Sequence, residues 1–247
     1  CHYDDPEFDP DRAALTQAAQ ALGVSDLVLP AITAATWGRL QALCERSPQL
    51  HASYGLHPIY LAEHQPAHLT QLRECLMRER PVAVGECGLD FYLPELNVQQ
   101  QTDLFVAQLK LAREFDLPVI VHARRSLDAV LQQLRKFPGL SGVVHSFAGS
   151  LQQADTLIKL GFYLGVGGTC TYERANKLRN VLTTVALETL VLETDAPDQP
   201  DSQWRGKRND PTRLPVIAQA LADLRQSDLV TIADVTTANA KRLFNLV

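Results

Sequence analysis

Three histidines and two carboxylates stand where short apolar runs of the chain stop: His2, Glu86, His122, His145 and Asp195. Val82-Ala83-Val84 leads into Gly85-Glu86, Val119-Ile120-Val121 into His122, Val143-Val144 into His145, and Val191-Leu192 into Glu193-Thr194-Asp195. His57 follows Gly55-Leu56 in the same manner, and His2 falls where a further strand would finish. Imidazole nitrogens and carboxylate oxygens together make the ligand set of Zn²⁺, Mn²⁺ and similar ions. A carboxylate has two oxygens, so Glu86 suits a bridge between two cations roughly 3.5–4 Å apart. One such residue at a strand end is ordinarily a hydrogen-bonded side chain or a helix cap. Its repetition over most of the runs is what points to a metal site. His51, His64 and His68 lack this placement and read as surface or structural residues.

These side chains can share a site only if the runs before them open on one face. Runs rich in Val, Ile and Leu lie at 27–29, 51–56, 82–84, 118–121, 142–144, 162–166 and 190–192. They are apolar on both faces, which suits strands buried between helices. Between them lie helical patterns at 11–22, 97–115, 126–137 and 151–160, with further ones at 216–224 and 238–244. Alternation of this kind means βα units on a parallel sheet. The expected architecture is α/β, a TIM-like (β/α)₈ barrel formed by one domain over residues 1–247, whose strand C-termini open onto the active-site face. A doubly wound open sheet is the alternative. Only seven strands are visible and a closed barrel needs eight. Cys1-His2-Tyr3-Asp4 runs directly into a helix, so most of a first strand is expected upstream of Cys1.

Composition limits the rest. A net charge of -5 argues against a chain coated in basic residues for nucleic acid, while leaving room for a local basic patch. No apolar run approaches the about 20 residues that a membrane-spanning helix requires, so no membrane association is expected. The five cysteines are an odd, scattered set without a CxxC pair, which reads as free thiols in a reducing cytoplasm. Gly165-Val166-Gly167-Gly168 does not meet the GxGxxG spacing of a dinucleotide site. Glycine there instead lets the strand backbone approach the metal site closely.

An ordered set of segments resembles the TatD family of metal-dependent deoxyribonucleases, within it the YjjV-like bacterial branch. The set runs essentially end to end. It comprises Cys1-His2-Tyr3-Asp4 (the tail of a His-x-His-x-Asp opening), Gly55-Leu56-His57-Pro58 and Gly85-Glu86-Cys87-Gly88-Leu89-Asp90. It continues with His122-Ala123-Arg124, His145-Ser146-Phe147, Gly165-Val166-Gly167-Gly168 and Leu192-Glu193-Thr194-Asp195-Ala196-Pro197. The resemblance implies divalent-metal hydrolysis of phosphodiester bonds in nucleic acid. It implies that Glu86 bridges two ions (Mg, Mn or Zn), that His122 and His145 hold one, and that His2 and Asp195 hold the other. Asp195 would also orient or deprotonate the attacking water, which makes Asp195 and Glu86 the expected catalytic pair. The family opening carries two histidines and only His2 is present here, so the site at His2 is expected to be impaired. At most one metal is then expected to bind tightly.

The substrate reading follows from charge near the expected mouth: Arg124-Arg125 after the run at 118–121, and Arg205, Lys207 and Arg208 after that at 190–192. Guanidinium groups suit bidentate phosphate contacts. His57, Arg124, Lys207, Arg208 and Asn209 are the expected substrate-binding residues, with Arg174, Lys177 and Arg179 equally suited to an ordinary solvated surface. So few phosphate contacts imply weak, salt-sensitive DNA binding without base readout, which suits a monomeric nuclease trimming single-stranded ends. Two other readings stay open: a metal-dependent hydrolase of a small C–N or C–O bonded substrate, and a barrel that binds without catalysis.

Overall fold

The seven apolar runs all form strands. In the computed structural model, which describes residues 1–246, they are β1 (Leu27–Pro30), β2 (Leu50–Tyr54), β3 (Ala83–Asp90), β4 (Val119–Arg124), β5 (Gly142–Val144), β6 (Phe162–Val166) and β7 (Leu190–Leu192). The last residue of the expected domain, 247, lies outside the described residues. The sheet order is β1-β2-β3-β4-β5-β6-β7 and every neighbouring pair is parallel. Parallel neighbours need a crossover, and a helix supplies each one: α2 (Trp37–Arg46) belongs with β1 and β2, then come α3 (Pro66–Glu79), α4 (Val98–Glu114), α5 (Leu127–Leu134), α6 (Leu151–Lys159) and α7 (Asn176–Thr184). Helix α1 (Arg12–Ala21) precedes β1, and α8 (Leu214–Arg225) and α9 (Leu229–Phe244) follow β7. Because each strand sits beside its predecessor in one parallel order, the sheet curls continuously into a TIM-like (β/α) fold.

The curl does not close. Among the described residues β1 and β7 pair with no common neighbour. A cleft of about 280 Å³ runs between these two edges and reaches Glu86, His145 and Asp195. The eighth strand of a closed barrel would lie in this seam.

Local sequence explains the elements and the places where patterning misleads. Asn97 caps α4 by accepting the Gln100 N–H, and Ser150 with Gln153 forms a capping box at α6. Phe105 and Leu109 of α4 are wholly buried in the core that the helices share with the sheet. Helices α2, α3 and α7, which the sequence pattern did not mark, each bury two or three side chains. Helix α9 starts at Leu229 rather than at the expected 238; before 238 its buried residues are Ile232 and the polar Thr236, which leave no apolar stripe. Strand β3 continues six residues past the expected end at Val84. Its two glycines and two carboxylates disguise a segment in which all eight residues are buried. No helix among the described residues is long and apolar enough to cross a membrane.

Candidate metal centre

Glu86 lies inside β3, not beyond it. Between β3 and β4 the register slips: Val84 pairs with Val119 but Cys87 pairs with Val121. One extra residue on β3 makes a bulge at Gly85-Glu86, a device that re-aims a side chain next to active sites. Beyond the bulge the period of two puts Glu86, Gly88 and Asp90 on one face. Gly88 pairs with His122, and its φ of +146° together with the His122 backbone leaves no room for a Cβ. The imidazole therefore stands between the two carboxylates of β3. Its Nδ1 is 3.1 Å from Glu86 Oε1 and its Nε2 is 2.9 Å from Asp90 Oδ2. His145 directly follows β5 and hangs on the Val121 carbonyl of β4. Gly165 on β6 lets that strand come close: a Cβ there would collide with the Glu193 carboxylate and sit 2.9 Å from the His145 Cα.

Glu86, 2% exposed, is the hub. Its Oε1 is 2.8 Å from His145 Nε2, 3.1 Å from His122 Nδ1 and 3.0 Å from His57 Nε2. Its Oε2 faces the other way, 3.3 Å from His2 Nε2, which lies 3.6 Å from Asp195 Oδ1. Metal–ligand bonds of 2.0–2.1 Å in tetrahedral geometry put neighbouring donor atoms ~3.3 Å apart. At 2.8–3.3 Å the separations around Glu86 approach that edge length, and the imidazole and carboxylate donors fit divalent metal.

Tautomers sort the imidazoles further. His2 Nδ1–H donates to the Pro30 carbonyl, leaving the Nε2 lone pair aimed at Glu86 and Asp195. His122 Nε2–H donates to Asp90, leaving the Nδ1 lone pair aimed at Glu86 and at His145 Nε2, 3.2 Å away. Both have the second partner that metal-ligating histidines use to fix orientation. His57 is different, although its Nε2 lies within 4.8 Å of the Glu86 and His122 donor atoms. Its Nδ1 accepts the Ile59 N–H at 3.2 Å, so the neutral ring carries its proton on Nε2 and donates to Glu86. In this arrangement His57 is a hydrogen-bond donor, not a ligand.

The electrostatics agree. Burial alone would depress the His2 imidazolium, but the Asp195 and Glu86 carboxylates raise its pKa to about 10. Burial is likewise outweighed at His145, held well above its ordinary value by Glu86 and Glu193, and at His122, raised by Asp90 and Glu86. His57, where burial prevails, falls to about 4 and stays neutral. Burial would raise both carboxylates, yet the imidazoles hold Glu86 well below its usual range and His2 takes Asp195 to about 2. The carboxylates of the pocket thus hold protons on the neighbouring imidazoles, and a bound cation would take the place of those protons.

Three non-glycine residues beside the hub have left-handed backbone: Ser146 (φ 45°), Asp195 (φ 58°) and Gln199 (φ 49°). They bond to one another, Gln199 Nε2 donating to Ser146 Oγ at 2.9 Å and to Asp195 Oδ2 at 2.5 Å. Ser146 in turn donates its backbone N–H and hydroxyl to Glu193 Oε1. Conformations of this type cost of order 1–3 kcal/mol each and cluster where chemistry needs a fixed geometry.

The five residues at the ends of apolar runs therefore converge with His57. The other expected substrate contacts are in varied states. Arg124 is exposed, with its guanidinium 3.6 Å from the Tyr92 ring centroid. Lys207 is exposed over Trp204 at 3.9 Å. Arg208 is tied to the Asp11 carboxylate and the Glu7 carbonyl and packs on Phe8. Asn209 corrects the expectation of a substrate contact: it is 0% exposed, and its amide donates to the Thr194 and Asp198 carbonyls at 2.7 Å each. It holds the loop after β7 from beneath. Sequence reasoning missed Asp90, Glu193, Ser146 and Gln199. The spacing of two from Gly88 would have put Asp90 on the Glu86 face, had the strand been carried past Val84. Gln199 carries no such signal.

The profile of a family described as TatD related DNase matches residues 1–245. The chain is 41% identical over 249 residues to the uncharacterized metal-dependent hydrolase YjjV of Escherichia coli K12, covering 100% of this chain and 96% of that protein. It is 34% identical to the 3'-5' ssDNA/RNA exonuclease TatD of a Rahnella strain, over 97% and 94% of the two chains. The crystal structure of YjjV, a TatD homologue, superposes with a TM-score of 0.96 over 100% of this chain and 96% of that one.

Proposed function

The chain belongs to the TatD-related DNase family, and from that premise we propose that this metal-dependent hydrolase cleaves phosphodiester bonds of single-stranded DNA around two cations that share Glu86. The observation that carries the reading is the division of the Glu86 carboxylate. Oε1 faces His122 and His145, Oε2 faces His2, and Asp195 stands beyond His2. Glu86, His122 and His145 would hold one cation, and Glu86, His2 and Asp195 the other. Divalent cations supply Lewis acidity toward phosphoryl oxygens and a nucleophile at neutral pH. Mg²⁺, Mn²⁺ and Zn²⁺ all suit these donors.

The chain's own residues do the rest. Asp195, held ionised and fixed by Gln199, accepts a hydrogen bond from the attacking water and aligns it with phosphorus. His57, neutral with its proton on Nε2, keeps Glu86 turned toward its ligand partners. Asp90 fixes the His122 ring in the tautomer that presents Nδ1 inward. Arg124 and Lys207, both exposed, meet the phosphates of the strand. A relative that bears the name 3'-5' ssDNA/RNA exonuclease supports a single-stranded substrate. Five cysteines without a disulfide suit a reducing compartment, and we place the enzyme in the cytoplasm.

The test is hydrolysis of 3'-labelled and 5'-labelled single-stranded oligonucleotides with Mg²⁺, Mn²⁺, Zn²⁺ or chelator. Metal-dependent shortening supports the reading and the label pattern gives polarity. Metal-loaded protein that cleaves neither strand overturns it.

A further inference from the structure

Tyr92 is the one exposed aromatic side chain among the described residues, at 43%. It sits just past the end of β3, where its backbone N–H donates to Asp90 Oδ1 at 2.8 Å. The other oxygen of that carboxylate holds His122, so the ring stands at the rim of the metal centre on a backbone fixed by the centre itself. The Phe91 N–H donates to the Arg124 carbonyl, which locks the loop after β3 against the end of β4. Two guanidinium groups converge on the ring, Arg124 at 3.6 Å from its centroid and Arg125 at 4.8 Å.

Neither arginine has a carboxylate partner among the described residues, unlike Arg12, Arg39, Arg73, Arg208 and Arg213. Arg125 also holds a left-handed backbone at φ 55°, which costs a non-glycine residue about 1–2 kcal/mol. Two like charges side by side on an exposed ring, in a chain of net charge -5, are a poor structural arrangement and a good anion site. Beside Arg125 opens a cavity of about 460 Å³, with Phe91 and Phe147 among its walls and Asp128 and Gln153 at its polar edge. An aromatic face with flanking guanidinium planes is the combination by which proteins hold unpaired bases and their phosphates.

We propose that Tyr92, Arg124 and Arg125 form a nucleotide subsite in which the ring stacks an unpaired base and the two guanidinium groups bind the adjoining phosphate. The proposal rests on the nuclease reading above and deepens it by naming what selects the strand. A base in a duplex is already stacked and paired, so only a frayed or single-stranded nucleotide can lie on Tyr92. Arg124 thereby contributes more than charge: its plane extends the stack, which lysine cannot do.

The test measures binding separately from cleavage. Zn²⁺-loaded protein is titrated, by fluorescence anisotropy, into a labelled phosphorothioate-linked oligothymidylate and into a strand of equal length and charge with abasic residues. Stacking on one aromatic residue corresponds to roughly tenfold in affinity for one base. The expected result is that the wild type prefers the base-bearing strand by about that factor. Tyr92→Ala abolishes the preference, Tyr92→Phe keeps it, and Arg124→Lys reduces it while retaining affinity for the abasic strand. Equal wild-type affinity for the two strands, or an undiminished preference in Tyr92→Ala with unchanged metal content, overturns the proposal. Preference present in a wild type that cleaves no oligonucleotide would leave the subsite standing and sink the nuclease reading alone.

Discussion

Replacing Asp90 by asparagine should damage the metal centre more than deleting its side chain altogether. Asp90 is 1% exposed; Oδ1 accepts the Tyr92 N–H at 2.8 Å and Oδ2 accepts the His122 Nε2–H at 2.9 Å. In Asp90→Asn the amide oxygen remains on the Tyr92 N–H, so the NH₂ group must face His122. Two donors cannot share that contact, and water has no access to relieve it. His122 therefore moves its proton to Nδ1, which then points at Glu86 Oε1 and no longer offers a lone pair to a cation. Losing a carboxylate–histidine partner costs about 10- to 100-fold in metal affinity, or roughly 1.4–2.8 kcal/mol, and the enforced tautomer puts this variant at the upper end. In Asp90→Ala no partner dictates the tautomer, so metal affinity lies nearer the wild type. The Tyr92 N–H loses its acceptor, however, which costs ~1–3 kcal/mol of stability. The assay is Zn²⁺ titration against a chromophoric chelator, with thermal melting in chelator alongside. Asparagine should bind metal worse and melt higher than alanine. Alanine binding metal worse than asparagine would refute the tautomer argument.

Asp195→Asn, assayed at saturating metal, should lower kcat by about 10²- to 10⁴-fold with KM within a few-fold; unchanged turnover removes Asp195 from the water-orienting role. Metal uptake should release more than one proton near pH 7, because His2, with a pKa of about 10, and the raised His145 and His122 must give up their protons to bind. A raised folded-state histidine pKa stabilises the metal-free fold fully below the unfolded value of about 6.5, a contribution lost as pH climbs toward 10. The metal-free melting temperature should therefore decline across that window more steeply than that of the loaded protein; parallel curves, or uptake without proton release, would contradict the charge states assigned. Gly165→Ala should cost about 1–3 kcal/mol, because the Cβ meets Glu193 and His145 Cα in a packed wall. It should also weaken metal binding, and a variant with wild-type melting and metal content would show that β6 can retreat.

What could be read in the sequence was whatever a short-range pattern encodes. Runs apolar on both faces gave all seven strands, because a parallel sheet under helices buries both sides. The residues that end those runs met in one place, because strand C-termini of this fold share a face. The pattern failed where burial and polarity part company. Glu86, Gly88 and Asp90 made β3 look finished at Val84, and Asn209, adjacent to basic Lys207 and Arg208, looked like a surface residue facing substrate. Periodicity has no means to tell a buried amide from an exposed one, since the difference lies in carbonyls supplied from Thr194 and Asp198.

The distinction has a measurable consequence. Asn209→Ala removes the donor to those two carbonyls, of which that of Thr194 is buried, and the acceptor of the buried Asp210 N–H. The cost of unsatisfied buried groups is about 1–3 kcal/mol, which for a chain of this size lowers Tm by roughly 2–4 °C per kcal/mol. Thr194 precedes Asp195, and the Asp198 N–H donates to the Asp195 carbonyl, so a loosened loop also frees the carboxylate. The variant should thus melt lower and lose kcat, with KM nearly unchanged. Direct contact with substrate would give the opposite split, a raised KM at an unchanged Tm, and that result would return Asn209 to the substrate face.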